Sequence, residues 1–167
     1  MSSARLRPWG RLPRPLYRAR QFLSSLRPHI ADDERRQLAE FLDGPLLRLF
    51  ESMPQRDQRH CLDVSQALRR QGCDDRDLLA AALLHDVGKG DVGLLDRVAF
   101  VALNAVSPHR LERLAASHRG LAALLAHPKR GAELVAAAGA PEAVARLVAG
   151  DPGDPRLALL QAADDSC

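Results

Sequence analysis

The hydrophobic positions of this chain fall in short runs with helical spacing, cut apart by proline and glycine. Leu16 to Leu26 forms a first amphipathic run, ended by Pro28. Asp32 stands as an N-cap for a helix over Glu34 to Leu42, with Gly44 as its stop. Pro45 to Met53 reads as a short helix, and Pro54 takes the first position of the next, which runs to Gly72. Asp74 or Asp75 caps a helix over Asp77 to Asp86, stopped by Gly88. Val98 to Val106 is apolar on one face and reads as a core helix. Ser107-Pro108 opens another helix, Pro128 opens one over Lys129 to Ala138 before Gly139, and Pro141 opens one to Ala149. Asp154-Pro155 opens the last, to about Asp165. No stretch alternates β-branched residues with period two, and alanine and leucine dominate. The pattern predicts an all-α, compact multi-helix bundle of about eight to ten helices with short loops and no internal repeat.

Residues 1–15 break this pattern. Arg5, Arg7, Arg11 and Arg14 lie among Pro8, Pro13 and Pro15 with no apolar period, so a flexible arm is expected there. Residues 16–167 are expected to form a single domain, and 167 residues suffice for one core.

Composition removes several classes. A net charge of +3 and 4% aromatic residues argue against a dedicated nucleic-acid surface or a base-stacking platform. The apolar run Leu78 to Leu84 falls far short of the roughly 20 residues a membrane helix needs, so no transmembrane segment is expected. Cys61, Cys73 and Cys167 make an odd count without a CxxC, which speaks against a disulfide framework. No apolar leader follows the first arginines, and Cys167 lacks a prenylation context. These features point to a cytoplasmic protein.

The most informative stretch is Leu83-Leu84-His85-Asp86-Val87-Gly88-Lys89-Gly90. An imidazole and a carboxylate at the end of an apolar helix enter the core. A carboxylate buried alone costs several kcal/mol, and a divalent ion supplies the missing charge. Two further ligands fall at matching helical phases. His60 shares a stripe with Val64, Ala67 and Leu68, and Asp164 shares one with Leu157 and Leu160, while Asp165 points away. Asp63, near His60 in sequence, is rotated off the site. Bland readings stand beside each. A core histidine bonded to backbone accounts for His60, and a solvated terminal carboxylate accounts for Asp164.

The order His60 … His85-Asp86 … Asp164 resembles the H…HD…D signature of the HD-domain metal-dependent phosphohydrolases. "ALLHDVGKG" resembles their central motif and "LLQAADDSC" their closing helix, over about residues 45–167. The resemblance implies an all-α HD-domain bundle with a metal held by His60, His85, Asp86 and Asp164. "HPKRGAELV", beginning at His127, is similar to the segment that carries a second-metal ligand in two-metal members. There Asp86 would bridge both ions. Such members carry a further histidine about two dozen residues later, and here Asp151 stands in that place, in a "GDPGDP" run that is also a turn signal. An aspartate oxygen can still ligate, so the count is one or two ions.

Imidazole and carboxylate ligands suit Mn²⁺, Fe²⁺ or Mg²⁺. Such an ion makes hydroxide available at neutral pH and binds a phosphoryl oxygen. Asp86 is the candidate to orient or deprotonate the water, and Lys89 to hold a substrate phosphate. Lys129 and Arg130, at the expected helix N-terminus beside His127, are candidates for the same task. The expected partner is a small phosphorylated substrate, a nucleotide first of all. The rival readings are a catalytically decayed HD-fold nucleotide-binding or regulatory module, and an adaptor that docks through residues 1–20.

Overall fold

A computed structural model describes residues 30–167, and the arm over residues 1–15 and the run from Leu16 to Leu26 lie outside the described residues. The described chain folds as nine α-helices and one 3-10 turn, with no strand among the described residues. The helices are α1 (Asp32–Phe41), α2 (Gly44–Glu51), α3 (Gln55–Arg70), α4 (Arg76–Leu84), α5 (Leu94–Val106), α6 (Pro108–Ala115), α7 (Arg119–Ala137), α8 (Glu142–Ala149) and α9 (Leu157–Ser166). The 3-10 turn spans Val87–Lys89, directly after α4. None of these helices is long and apolar enough to cross a membrane.

Local chemistry accounts for most boundaries. Asp75 caps α4 by accepting a hydrogen bond from the Leu78 N–H at 3.0 Å. Pro108 occupies the first turn of α6 as expected. Gly72 ends α3 at φ +86°, and the Cys73 N–H reaches back to the Leu68 carbonyl at 3.1 Å, which closes a Schellman turn.

Four expectations are corrected. Asp32 lies inside α1 rather than capping it; the N-cap is Ala31, whose N–H donates to the Glu34 carboxylate at 3.0 Å. Gly44 begins α2 instead of stopping α1, because the Asp43 side chain accepts from the Leu46 N–H. Gly88 has an ordinary negative φ and is no helix terminator; its role is contact. Pro128 opens nothing: α7 runs straight through it.

The core is organised around α4. Every residue from Leu78 to Leu84 is buried, so this helix is apolar on all sides because it is surrounded on all sides. Cys61, Val64 and Leu68 of α3, Val144, Leu147 and Val148 of α8, Leu160 and Ala163 of α9, and Leu46 and Phe50 of α2 belong to the same cluster. A smaller cluster joins Leu111 and Ala115 of α6 to Leu121 of α7, with Ala99, Phe100 and Leu103 of α5 packed on it. The run from Val98 to Val106 is therefore not a core helix. No residue of α5 is fully buried, and Val98, Val101 and Val106 are 59%, 67% and 85% exposed.

Two ion pairs pin the periphery to α3. Arg97 of α5 grips buried Asp57 with two hydrogen bonds of 2.8 Å each. Arg59 grips Glu34 of α1 at 2.9 and 2.8 Å, and Gln66 adds a third contact at 3.0 Å. Burial alone would raise the Glu34 pKa; Arg59, the Ala31 N–H and Gln66 outweigh it and lower it from 4.5 to about 2. A carboxylate with a depressed folded pKa stabilises above its unfolded value and loses that contribution as pH falls. Wild-type protein should therefore lose thermal stability between pH 4.5 and about 2. Glu34→Gln should show a lower melting temperature at neutral pH and a shallower acid dependence. Melting curves of both proteins across that range, followed by circular dichroism, check this.

Candidate metal centre

α4 delivers His85 and Asp86 to the inside of the bundle, because its apolar sides fix where its C-terminal end points. Asp86 is 2% exposed. The carbonyls of the last turn of α4 lack helical partners. His85 uses this: its Nδ1 lies 2.9 Å from the Ala82 carbonyl, which can only accept, so Nδ1 carries the proton. The lone pair is then on Nε2. That atom is buried and has no hydrogen-bond partner among the described residues. It lies 3.3 Å from Asp86 Oδ1 and 3.6 Å from Asp164 Oδ1.

α3 and α9 bring the remaining groups. His60 Nε2 is 2.8 Å from Asp164 Oδ1, and the His60 and His85 rings meet edge to face with centroids 5.3 Å apart. His60, His85 and Asp164 each offer an atom within 4.8 Å of the others, as do Cys61, His85 and Asp86. Asp165 is exposed, and Asp63 is turned to Arg59, as its helical phase predicts. Lys89, one 3-10 turn beyond, places Nζ 2.6 Å from Asp86 Oδ2.

A lone pair aimed between two carboxylate oxygens is a repulsive arrangement unless a cation sits among them. A proton is one answer. Burial opposes the charged imidazole, but Asp86, Cys61 and Asp164 outweigh it and raise the His85 pKa well above its ordinary value. A divalent ion is the other answer, and the donor types suit one: the imidazoles of His60 and His85 with the Asp164 carboxylate form one close group, and the Asp86 carboxylate adjoins it through His85. Burial by itself would raise the Asp86 pKa, yet His85, Lys89 and His60 hold it well below the usual carboxylate range. His60, within hydrogen-bond distance, and the neighbouring His85 lower the Asp164 pKa in the same way against its burial. Both carboxylates are therefore ligand-ready anions at any physiological pH.

His127 sits mid-way along α7, and Pro128 explains its pose. A helical residue at that position would donate its N–H to the Leu124 carbonyl, but proline has none. The His127 Nδ1–H takes that carbonyl instead, which leaves Nε2 with a free lone pair. Burial lowers the His127 pKa, with Lys89 and His85 adding to it against the Leu124 carbonyl and Asp86. His127 thus lies within electrostatic reach of the centre. Lys129 and Arg130, expected at a helix N-terminus, are exposed residues in the middle of α7, so no orphan amide donors accompany them. The structure does not bring Asp151 to the cluster. Arg146 holds its carboxylate at 2.7 Å, and it accepts the Gly153 N–H at 2.8 Å.

Backbone contact seats the turn after His85-Asp86. A Cβ on Gly88 would lie 2.0 Å from the His127 carbonyl oxygen and 2.6 Å from the Gly131 nitrogen. Gly131 faces back with its own Cβ position 3.4 Å from the Gly88 nitrogen. The two glycines let the turn and α7 approach backbone to backbone. Neither this pairing nor the place of Cys61 was read from the sequence. Cys61 packs its Sγ 3.6 Å from His85 Nδ1, and its only sequence signal is its position next to His60.

The family model for the HD domain matches residues 58–165. The chain belongs to the HD domain family, and the all-α fold and the order of its His and Asp residues agree with that membership. No curated protein and no solved structure matches the chain.

Two variants probe how the site is built. Gly88→Ala should destabilise the fold by about 1–3 kcal/mol through forced separation of the turn from α7, measured by urea unfolding. Pro128→Ala restores the backbone donor to the Leu124 carbonyl. The His127 ring should then lose its fixed Nδ1–H tautomer, which nitrogen-15 chemical shifts of the imidazole report.

Proposed function

We propose that the chain is a metal-dependent phosphohydrolase that cleaves a phosphoester or phosphoanhydride bond of a small phosphorylated substrate, a nucleotide in the first instance. The observation that carries this reading is the orphaned, buried Nε2 of His85 between Asp86 and Asp164. His60, His85, Asp86 and Asp164 would hold one Mn²⁺, Fe²⁺ or Mg²⁺. When bound, that ion supplies Lewis acidity and an activated water at neutral pH.

The protein's own residues supply the rest. Ala82 fixes the His85 tautomer so that Nε2, not Nδ1, faces the centre. Asp86 keeps its carboxylate ionised and is the candidate to orient the attacking water. Lys89 is the candidate phosphate contact, since its ammonium stands beside Asp86 at one end of the cluster. His127 is the candidate ligand for a second ion, with its lone pair left free by Pro128. Arg146 engages Asp151, which favours one ion over two in this chain.

A second reading rests on the same contact. With Asp151 engaged and Lys89 already neutralising Asp86, the domain would bind a nucleotide without turning it over. Metal analysis separates the two. Protein purified without chelator or tag metal should carry about one Mn or Fe per chain, and Asp86→Ala should lose it. Hydrolysis across a nucleotide panel with added Mn²⁺ should fall by more than about a hundredfold in that variant. Binding with no turnover in the metal-loaded wild type would give the case to the non-catalytic module.

A further inference from the structure

α5 has two apolar faces. Ala99, Phe100 and Leu103 pack on the smaller cluster. On the other side Leu94, Leu95, Val98, Val101, Ala102, Ala105 and Val106 are all exposed, and no charged residue interrupts them. Leu94, Leu95, Val98, Val101 and Val106 are 58%, 83%, 59%, 67% and 85% exposed. At 100° per residue these positions fall within one stripe along the helix. Residues 94, 98, 101 and 105 carry the alternating four-three spacing of a helix–helix seam.

We propose that this face is the contact between two copies of the chain, paired through α5 in an antiparallel, two-fold arrangement. Area is the first argument. At those exposures the five large residues present about 600 Å² per chain, so a pair buries at most about 1,200 Å², the lower end of what stable interfaces bury. Symmetry is the second. A two-fold contact needs a surface that complements itself, and an uncharged stripe of Leu, Val and Ala does so in antiparallel register without like-charge repulsion. Charge at the ends is the third. Exposed Asp91 precedes α5, and after it exposed Arg110 and Arg113 outnumber exposed Glu112, which faces His109, so antiparallel pairing sets the acidic end of one copy toward the net basic end of the other.

The test is the mass of the full chain in solution by light scattering and sedimentation, from about 1 to 200 µM, a span that brackets contacts of this size. The wild type should reach twice the 18.2 kDa chain mass. Val98→Glu and Val101→Glu should each halve it with unchanged circular dichroism, because both positions are exposed in the single chain. Leu159→Glu, at an exposed leucine of α9, should leave the dimer intact. A wild type that stays monomeric overturns the proposal. In that case a thiol reagent on Val98→Cys reads whether the chain's own residues 1–29 shield the face, and vesicle binding reads whether a lipid surface takes it. A dimer that survives both Glu variants overturns it equally.

Discussion

Burial of the Asp86 carboxylate is the constraint on which the centre depends. A lone carboxylate at that depth would cost the fold several kcal/mol. The chain answers with positive charge on two sides. Lys89 neutralises Oδ2, and the space between Oδ1, Asp164 and the His85 lone pair asks for a further cation. The same electrostatics that make the arrangement costly in an empty core favour a cation among these mixed nitrogen and oxygen donors. Stability and chemistry are therefore coupled here. The groups that relieve the buried charge are the groups that would do the work.

Orientation is handled by carbonyls. His85 and His127 each donate Nδ1–H to a carbonyl three residues earlier, Ala82 and Leu124. The origin of the free carbonyl differs. At Ala82 it is the end of α4, and at Leu124 it is the missing N–H of Pro128 inside α7. Each device leaves Nε2 as the lone-pair atom. A proline that breaks helical bonding is tolerated because a side chain replaces the bond it removes.

The fold class was legible because helical spacing persists from one proline or glycine to the next, and that signal is local. The candidate ligands rested on the same local signal: His60 and Asp164 lie on the apolar stripes of their helices, and His85 and Asp86 follow the apolar run that ends α4. What failed to show was what depends on contact between distant segments. Pro128 looked like a helix start, since nothing in sequence says that His127 takes over the Leu124 carbonyl. Gly88 looked like a stop, since only its approach to Gly131 shows why a side chain is excluded there. Val98 to Val106 looked like core because an apolar face does not say what covers it. Asp151 was placed by its distance along the chain, and the nearby Arg146 took its carboxylate.

The two clusters divide the labour along α7. Its first half, with Leu121, belongs to the small cluster under α5 and α6, and its second half, with Val135, belongs to the main core. His127 and Pro128 lie at the junction, against Gly88 of the turn that carries Lys89. His60, His85 and Asp164, by contrast, hang from helices of the main core alone. His127 is therefore the one candidate ligand whose helix also packs on α6 and α5. The Arg97–Asp57 pair ties α5 directly to α3, the helix that carries His60. The position of His127 relative to His60 is thus fixed from two sides, by that tie and by the backbone contact at Gly88.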